Sequence, residues 1–151
     1  MNRKRILIGR KDIADFPELG LSGIEVKVDS GAYTSSFHCT HIEKSSNGEK
    51  DVIRCVFLDP DHPQYHEKEF SFSDFKIRKV KSSNGMVEER FSVFTQIVIF
   101  SKIYRIELTL TERADMKHPV LLGRKFTSKK FLIDTSRKNL SFNNKIIEIE
   151  I

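Results

Sequence analysis

The chain has 151 residues, 38% hydrophobic and 31% charged, the balance of a globular domain that buries roughly two-thirds of the surface its unfolded form exposes. Its net charge of +5 and pI near 9.2 favour acidic partners through long-range attraction. The basic residues are interspersed with acids, and no zinc-finger spacing, RNA-recognition signature or long basic helix occurs, so nucleic acid is not an expected partner.

The N-terminal stretch "MNRKRILIGRKD" has only a four-residue apolar run, too short for a signal-peptide core or a membrane span. A cytoplasmic protein that neither enters nor crosses a membrane is therefore expected. Cys39 and Cys55 then read as reduced structural thiols.

Alternating apolar and polar residues predict half-buried strands at "IEVKV" (24–28), "DVIRCVFL" (51–58), "EFSFSDFKI" (69–77), "RFSVFTQIVIF" (90–100), "YRIELTL" (104–110) and "IIEIEI" (146–151). Ser-Ser-Asn-Gly occurs at 45–48 and again at 82–85, and Asn-Gly suits a tight hairpin turn. A further hairpin is expected around Ser101 and Lys102, and a short helix over Gly123–Phe131, after "VLLG". The polar, proline-containing stretch from Asp59 to Glu69 reads as a mobile loop. The expected fold is one all-β domain over 1–151, a closed or nearly closed barrel with one short helix.

Within "VKVDSGAYTSSFH" (26–38) an apolar strand ends abruptly in Asp29-Ser30-Gly31. Glycine allows a close backbone approach, serine can bond the neighbouring backbone, and aspartate is left at the loop tip as a potential base. The tripeptide alone is equally compatible with an ordinary Asx turn. Asp29-Ser30-Gly31-Ala32 resembles the active-site loop of retropepsin-type aspartic proteases, and Val120-Leu121-Leu122-Gly123 resembles the second half of that signature. "FPELGL" (16–21), "RKVKSSNGMVEER" (78–90), "YRIELTLTERADMKHPVLLGRKF" (104–126) and "FLIDTS" (131–136) extend the match. Together these motifs resemble a bacterial family known as ATP-dependent zinc proteases, retropepsin-like proteins associated with ATP-grasp glutamate ligases. Ser30 stands where that family usually has threonine, and Tyr33 where it usually has arginine.

The resemblance implies an acid-protease fold and an aspartic peptidase with Asp29 as catalytic carboxylate, Ser30 and Gly31 shaping its loop. It places Ala32, Thr34, His38, Arg78, Arg90 and Arg124 as substrate-binding residues, with Arg113 in a matching motif. Aspartic-protease chemistry needs two carboxyl groups around one water. The second is expected from a homodimer or a modified single-chain arrangement; Asp134 is the in-chain candidate. Zinc is not expected as a cofactor: "HCTH" places His38 and Cys39 on opposite faces of a strand, as it does His38 and His41, unless a bulge intervenes. No nucleotide-binding loop supports ATP. The implied substrate is a peptide or glutamate-modified acidic protein tail, with a glutamate ligase as partner. The alternative is a non-catalytic peptide-binding or ligase-associated module. Either the Asp59–Glu69 loop or the 80–89 hairpin is a candidate flap.

Overall fold

A computed structural model describes residues 3–46, 48–81, 84–113 and 117–151. Its strands are β1 (Lys4–Ile8), β2 (Lys11–Phe16), β3 (Leu21–Val28), β4 (Ser35–Ser46), β5 (Asp51–Phe57), β6 (Phe70–Phe72), β7 (Phe75–Lys81), β8 (Val87–Ile99), β9 (Lys102–Thr111), β10 (Val120–Leu122), β11 (Phe131–Ile133) and β12 (Glu148–Glu150); one α-helical turn, α1 (Arg124–Thr127), follows β10. Each predicted strand is found; four have ends shifted by one to three residues, and two change more. "EFSFSDFKI" breaks at Ser73-Asp74 into β6 and β7, and "IIEIEI" contributes only Glu148–Glu150. The helix is likewise shorter than expected. Asn47, Ser82 and Ser83 of the two Ser-Ser-Asn-Gly turns lie outside the described residues, but Gly48 and Gly85 take φ of 94° and 83°, the left-handed backbone such turns require. At the 100–101 hairpin, Phe100 and Ser101 adopt φ of 53° and 58° without any glycine.

The expectation of a single closed or nearly closed barrel is corrected, because the strands fall into two separate sheets. The strands are divided between a three-stranded sheet, ordered β11-β1-β12, and a nine-stranded sheet running β10-β3-β2-β8-β9-β4-β5-β6. In the larger sheet β7 branches off, paired with β8, and β10 also bonds β4. Period-two alternation reports which face of a strand is buried and leaves its neighbour open. Thus β1, which buries Ile6 and Ile8, joins β11 in parallel along residues 6–8 and β12 in antiparallel register along residues 4–6, apart from the main sheet.

Phenylalanine supplies much of the core. Phe16, Phe37 and Phe57 pack edge to face with centroids 5.1 and 4.9 Å apart, and Phe70 continues the row at 5.5 Å, the geometry favoured by ring quadrupoles. Leu21, Ile24, Val26 and Val28 of β3 point into this core while the residues between them are exposed. The polar segment after β11 is held by the buried Asp12 carboxylate, which accepts the N–H groups of Ser141 and Phe142 at 2.9 and 3.1 Å. No helix among the described residues is long and apolar enough to cross a membrane. Cys39 and Cys55 are both buried free thiols.

Candidate functional site

The end of β3 and the start of β4 are joined by the loop that carries Asp29, and β10 with α1 forms its wall. β10 runs parallel to β3 with Leu122 opposite Val28, and antiparallel to β4 with Leu121 opposite Ser36. Beyond β10 the loop is tied down by main-chain bonds: Asp29 N–H to Leu122 O at 2.9 Å, Arg124 N–H to Ala32 O at 2.8 Å and Lys125 N–H to Tyr33 O at 2.9 Å. Gly123 N–H donates to Ser35 Oγ at 3.0 Å. A side chain at Gly123 would put its Cβ 2.5 Å from Thr34 O and 2.6 Å from Tyr33 O. Asp-Ser-Gly and apolar-apolar-Gly therefore meet in the fold, and Gly123 is there for close approach.

Asp29 Oδ1 accepts the Gly31 N–H at 3.0 Å, an Asx turn in which the carboxylate shapes its own loop. The Ser30 side chain is exposed, and its carbonyl receives Arg124 Nη1 at 2.9 Å. Tyr33 is exposed, with the Arg124 guanidinium 5.8 Å from its ring centroid. Asp29, Ala32 and Thr34 line a cavity of about 210 Å³ together with Ser36, Lys81, Arg90 and Arg113. Ser36, Arg90 and Arg113 also line an adjoining cavity of about 170 Å³, to which Lys27, Lys117 and His118 contribute. The combined groove carries five lysine and arginine side chains, and Asp29 is its one acidic lining residue among the described residues.

The other expected site residues are placed differently. Arg78 faces Glu107, donating from Nε at 2.7 Å and from Nη2 at 3.1 Å. Arg90 lines the groove while its guanidinium pairs with Glu88. His38 is buried and reaches the groove indirectly: its Nδ1 accepts the Arg113 N–H at 3.0 Å, which leaves Nε2 to donate to Asp59 Oδ2 at 3.0 Å. The Asp59–Glu69 loop is thereby anchored at its first residue. Asp134 accepts from both the Ser136 N–H and its hydroxyl, and pairs with Arg137 at 3.3 Å; the Ser136 bonds, outweighing a small burial effect, hold its carboxyl below the ordinary value. It does not line the Asp29 groove.

Lys27, Lys81 and Lys117 were not singled out by sequence reasoning. On β3 and β7, Lys27 and Lys81 occupy outward positions of the alternation, where a lysine carries no local mark of function.

Comparison with known proteins places this geometry in context. A family model, RimB-like, described as the retropepsin-like aspartic endopeptidase RimB, matches residues 7–144. The chain belongs to the RimB-like family. It is also similar to proteins named "Probable alpha-L-glutamate ligase": 32% identical over 99% of this chain in Shewanella halifaxensis, 34% over 90% in Shewanella pealeana and 36% over 85% in Desulfotalea psychrophila. The matches cover 33%, 30% and 28% of those proteins, so the chain spans about a third of the length of these relatives. A crystal structure of a Legionella pneumophila protein of unknown function (DUF785) superposes with a TM-score of 0.68 at 22% identity, covering 89% of this chain and 97% of that one; this likeness concerns the fold.

Membership in the RimB-like family stands, but the expected peptidase, and with it the zinc-protease label, is corrected. The groove's described lining presents Asp29 among five basic side chains, and the in-chain candidate for a second carboxylate, Asp134, is engaged elsewhere. No three His, Cys, Asp or Glu side chains among the described residues are grouped to hold a metal. A bulge does intervene in β4, between Thr40 and Glu43, yet it leaves His41 exposed while His38 and Cys39 stay buried. The full-length relatives carry the name of a ligase.

Proposed function

We propose that this RimB-like chain is a non-catalytic recognition module for carboxylate-rich peptide segments, acting in association with a glutamate ligase. The observation that carries the reading is the groove beside the Asp29 loop, where Lys27, Lys81, Arg90, Arg113 and Lys117 meet one carboxylate. Arginine binds carboxylates through paired, charge-assisted hydrogen bonds, and lysine adds a mobile point charge. The similarity to proteins named as glutamate ligases, over about a third of their length, supports the ligase as the partner whose acidic product or substrate is recognised. In this reading residues 1–151 act as one domain, Ala32 and Thr34 line the floor of the groove, and Arg124 steadies its loop.

Calorimetric titration with a pentaglutamate peptide tests the reading. Binding is expected, weakening about tenfold when Lys81 and Arg90 are both changed to Gln, and falling steeply between low and high salt as exposed charges are screened. The peptide should be recovered intact by mass spectrometry. No binding, or a flat salt response, overturns recognition; cleavage that disappears in Asp29→Asn overturns the non-catalytic assignment.

A further inference from the structure

We propose a second docking groove on the opposite face of β4, which takes an extended acidic peptide along the outer edge of β9. The inference goes beyond the Asp29 groove, because it concerns other residues on another face. Consecutive strand residues point to opposite sides: Ser36 lines the Asp29 groove, whereas Ser35 lines a cavity of about 160 Å³ with Arg105, Glu107, Lys125 and Lys130. Lys130 also lines the next cavity, about 170 Å³, with Lys4, Lys102, Tyr104 and Glu148. The two form a trough that follows β9 from Lys102 to Glu107.

Along that stretch β9 has one neighbour. β8 pairs with it from Lys102 onward, but β4 joins its other side only at Leu108, opposite Ser35. Among the described residues no backbone hydrogen bond occupies the outer side of 102–107. In an antiparallel ladder alternate N–H and C=O groups point away from the paired strand, so this edge can accept another extended chain. Six residues span about 17 Å at roughly 3.3 Å per residue, room for a peptide of about five residues.

Charge selects the occupant. Five basic side chains line the trough, Lys4, Lys102, Arg105, Lys125 and Lys130, against two carboxylates. Both carboxylates are already matched: Glu107 binds Arg78 and Lys125, and Glu148 lies 3.7 Å from Lys4. Arg105 instead rests on a ring face, 4.2 Å from the Phe94 centroid, and Lys130 lies 4.9 Å from the Phe126 centroid while donating from Nζ to Phe126 O at 2.8 Å. A cation on a ring at a partly exposed site is held by only about 0.5–1 kcal/mol, so a carboxylate can draw Arg105 away. Burial lowers the Lys130 pKa below its ordinary value, and an incoming anion would oppose that lowering. Nucleic acid fits less well, because Phe126 is buried and both Lys76 and Arg105 lie over the Phe94 ring, which leaves no open platform for a base.

The test is a titration of the ¹⁵N-labelled full chain with pentaglutamate, read by amide shifts, with a five-nucleotide single strand in parallel. Saturable shifts at Tyr104–Glu107 are expected, weakened about tenfold in Arg105→Gln/Lys130→Gln and retained in Lys81→Gln/Arg90→Gln. Because Asp29–Ala32 report the Asp29 groove separately, failure there and failure here are distinguishable, and the spectra themselves confirm that each variant is folded. Unmoved amides at 104–107, shifts indifferent to the Arg105/Lys130 change, or tighter binding of the oligonucleotide than of the peptide would overturn the second groove.

Discussion

Glu107 offers the sharpest test of how charge holds this fold together. Its side chain is 5% exposed, and burial alone would raise its pKa. Hydrogen bonds from Arg78, Lys125 and Ser92 prevail and bring it down from 4.5 to about 2. At about 1.4 kcal/mol per pKa unit, the depression corresponds to a ceiling of roughly 3 kcal/mol. The Arg78 and Lys125 side chains are 34% and 41% exposed, so solvent screening reduces the expected contribution to about 1–2 kcal/mol. A folded pKa below the unfolded one stabilises above the unfolded value, and that stabilisation is lost as pH falls from 4.5 toward about 2. Glu107→Gln should therefore lower the urea-unfolding free energy by about 1–2 kcal/mol at pH 7, and the gap to wild type should shrink by more than half at pH 3. An equal gap at both pH values would refute the electrostatic origin and point to lost packing or hydrogen bonding.

Gly123→Ala should cost about 2 kcal/mol or more, since its Cβ would lie 2.5 Å from Thr34 O; a wild-type denaturation midpoint would mean that β10 does not press on the Asp29 loop. Asp12→Ala removes the acceptor of the Ile13, Ser141 and Phe142 N–H groups and should cost roughly 2–4 kcal/mol. Hydrogen exchange should speed up at 141 and 142 and be partly restored in Asp12→Asn, whose amide oxygen still accepts; unchanged exchange in Asp12→Ala would disprove the tether.

Strands whose buried residues alternate with exposed ones were legible in the sequence, as in β3 with Ile24, Val26 and Val28 inward. The start of β4 was not, because Ser35, Ser36 and His38 are buried polar residues. Ser35 Oγ receives the Gly123 N–H and His38 bonds Asp59 and Arg113, so burial there depends on partners distant in sequence. The division into two sheets was hidden for a related reason, since β1 takes its neighbours from residues 131–133 and 148–150. At the site, the meeting of Asp29 with Leu122 and Gly123 was readable from paired motifs. The basic character of the groove was not: Lys27, Lys81 and Lys117 come from separate segments, and only the fold brings them together. Arg78, read as a ligand contact, donates to Glu107 in the fold, a partner distant in sequence.

The main-chain bonds that join Leu122, Arg124 and Lys125 to the loop that holds Asp29 bear on the thermodynamics of the recognition proposed above. A loop fixed in advance loses little conformational entropy when a ligand arrives. The ordering cost then falls on the long lysine and arginine side chains at the rim. Discrimination between partners should accordingly follow the spacing of their charges, while the floor of the groove stays the same shape in the free and bound states.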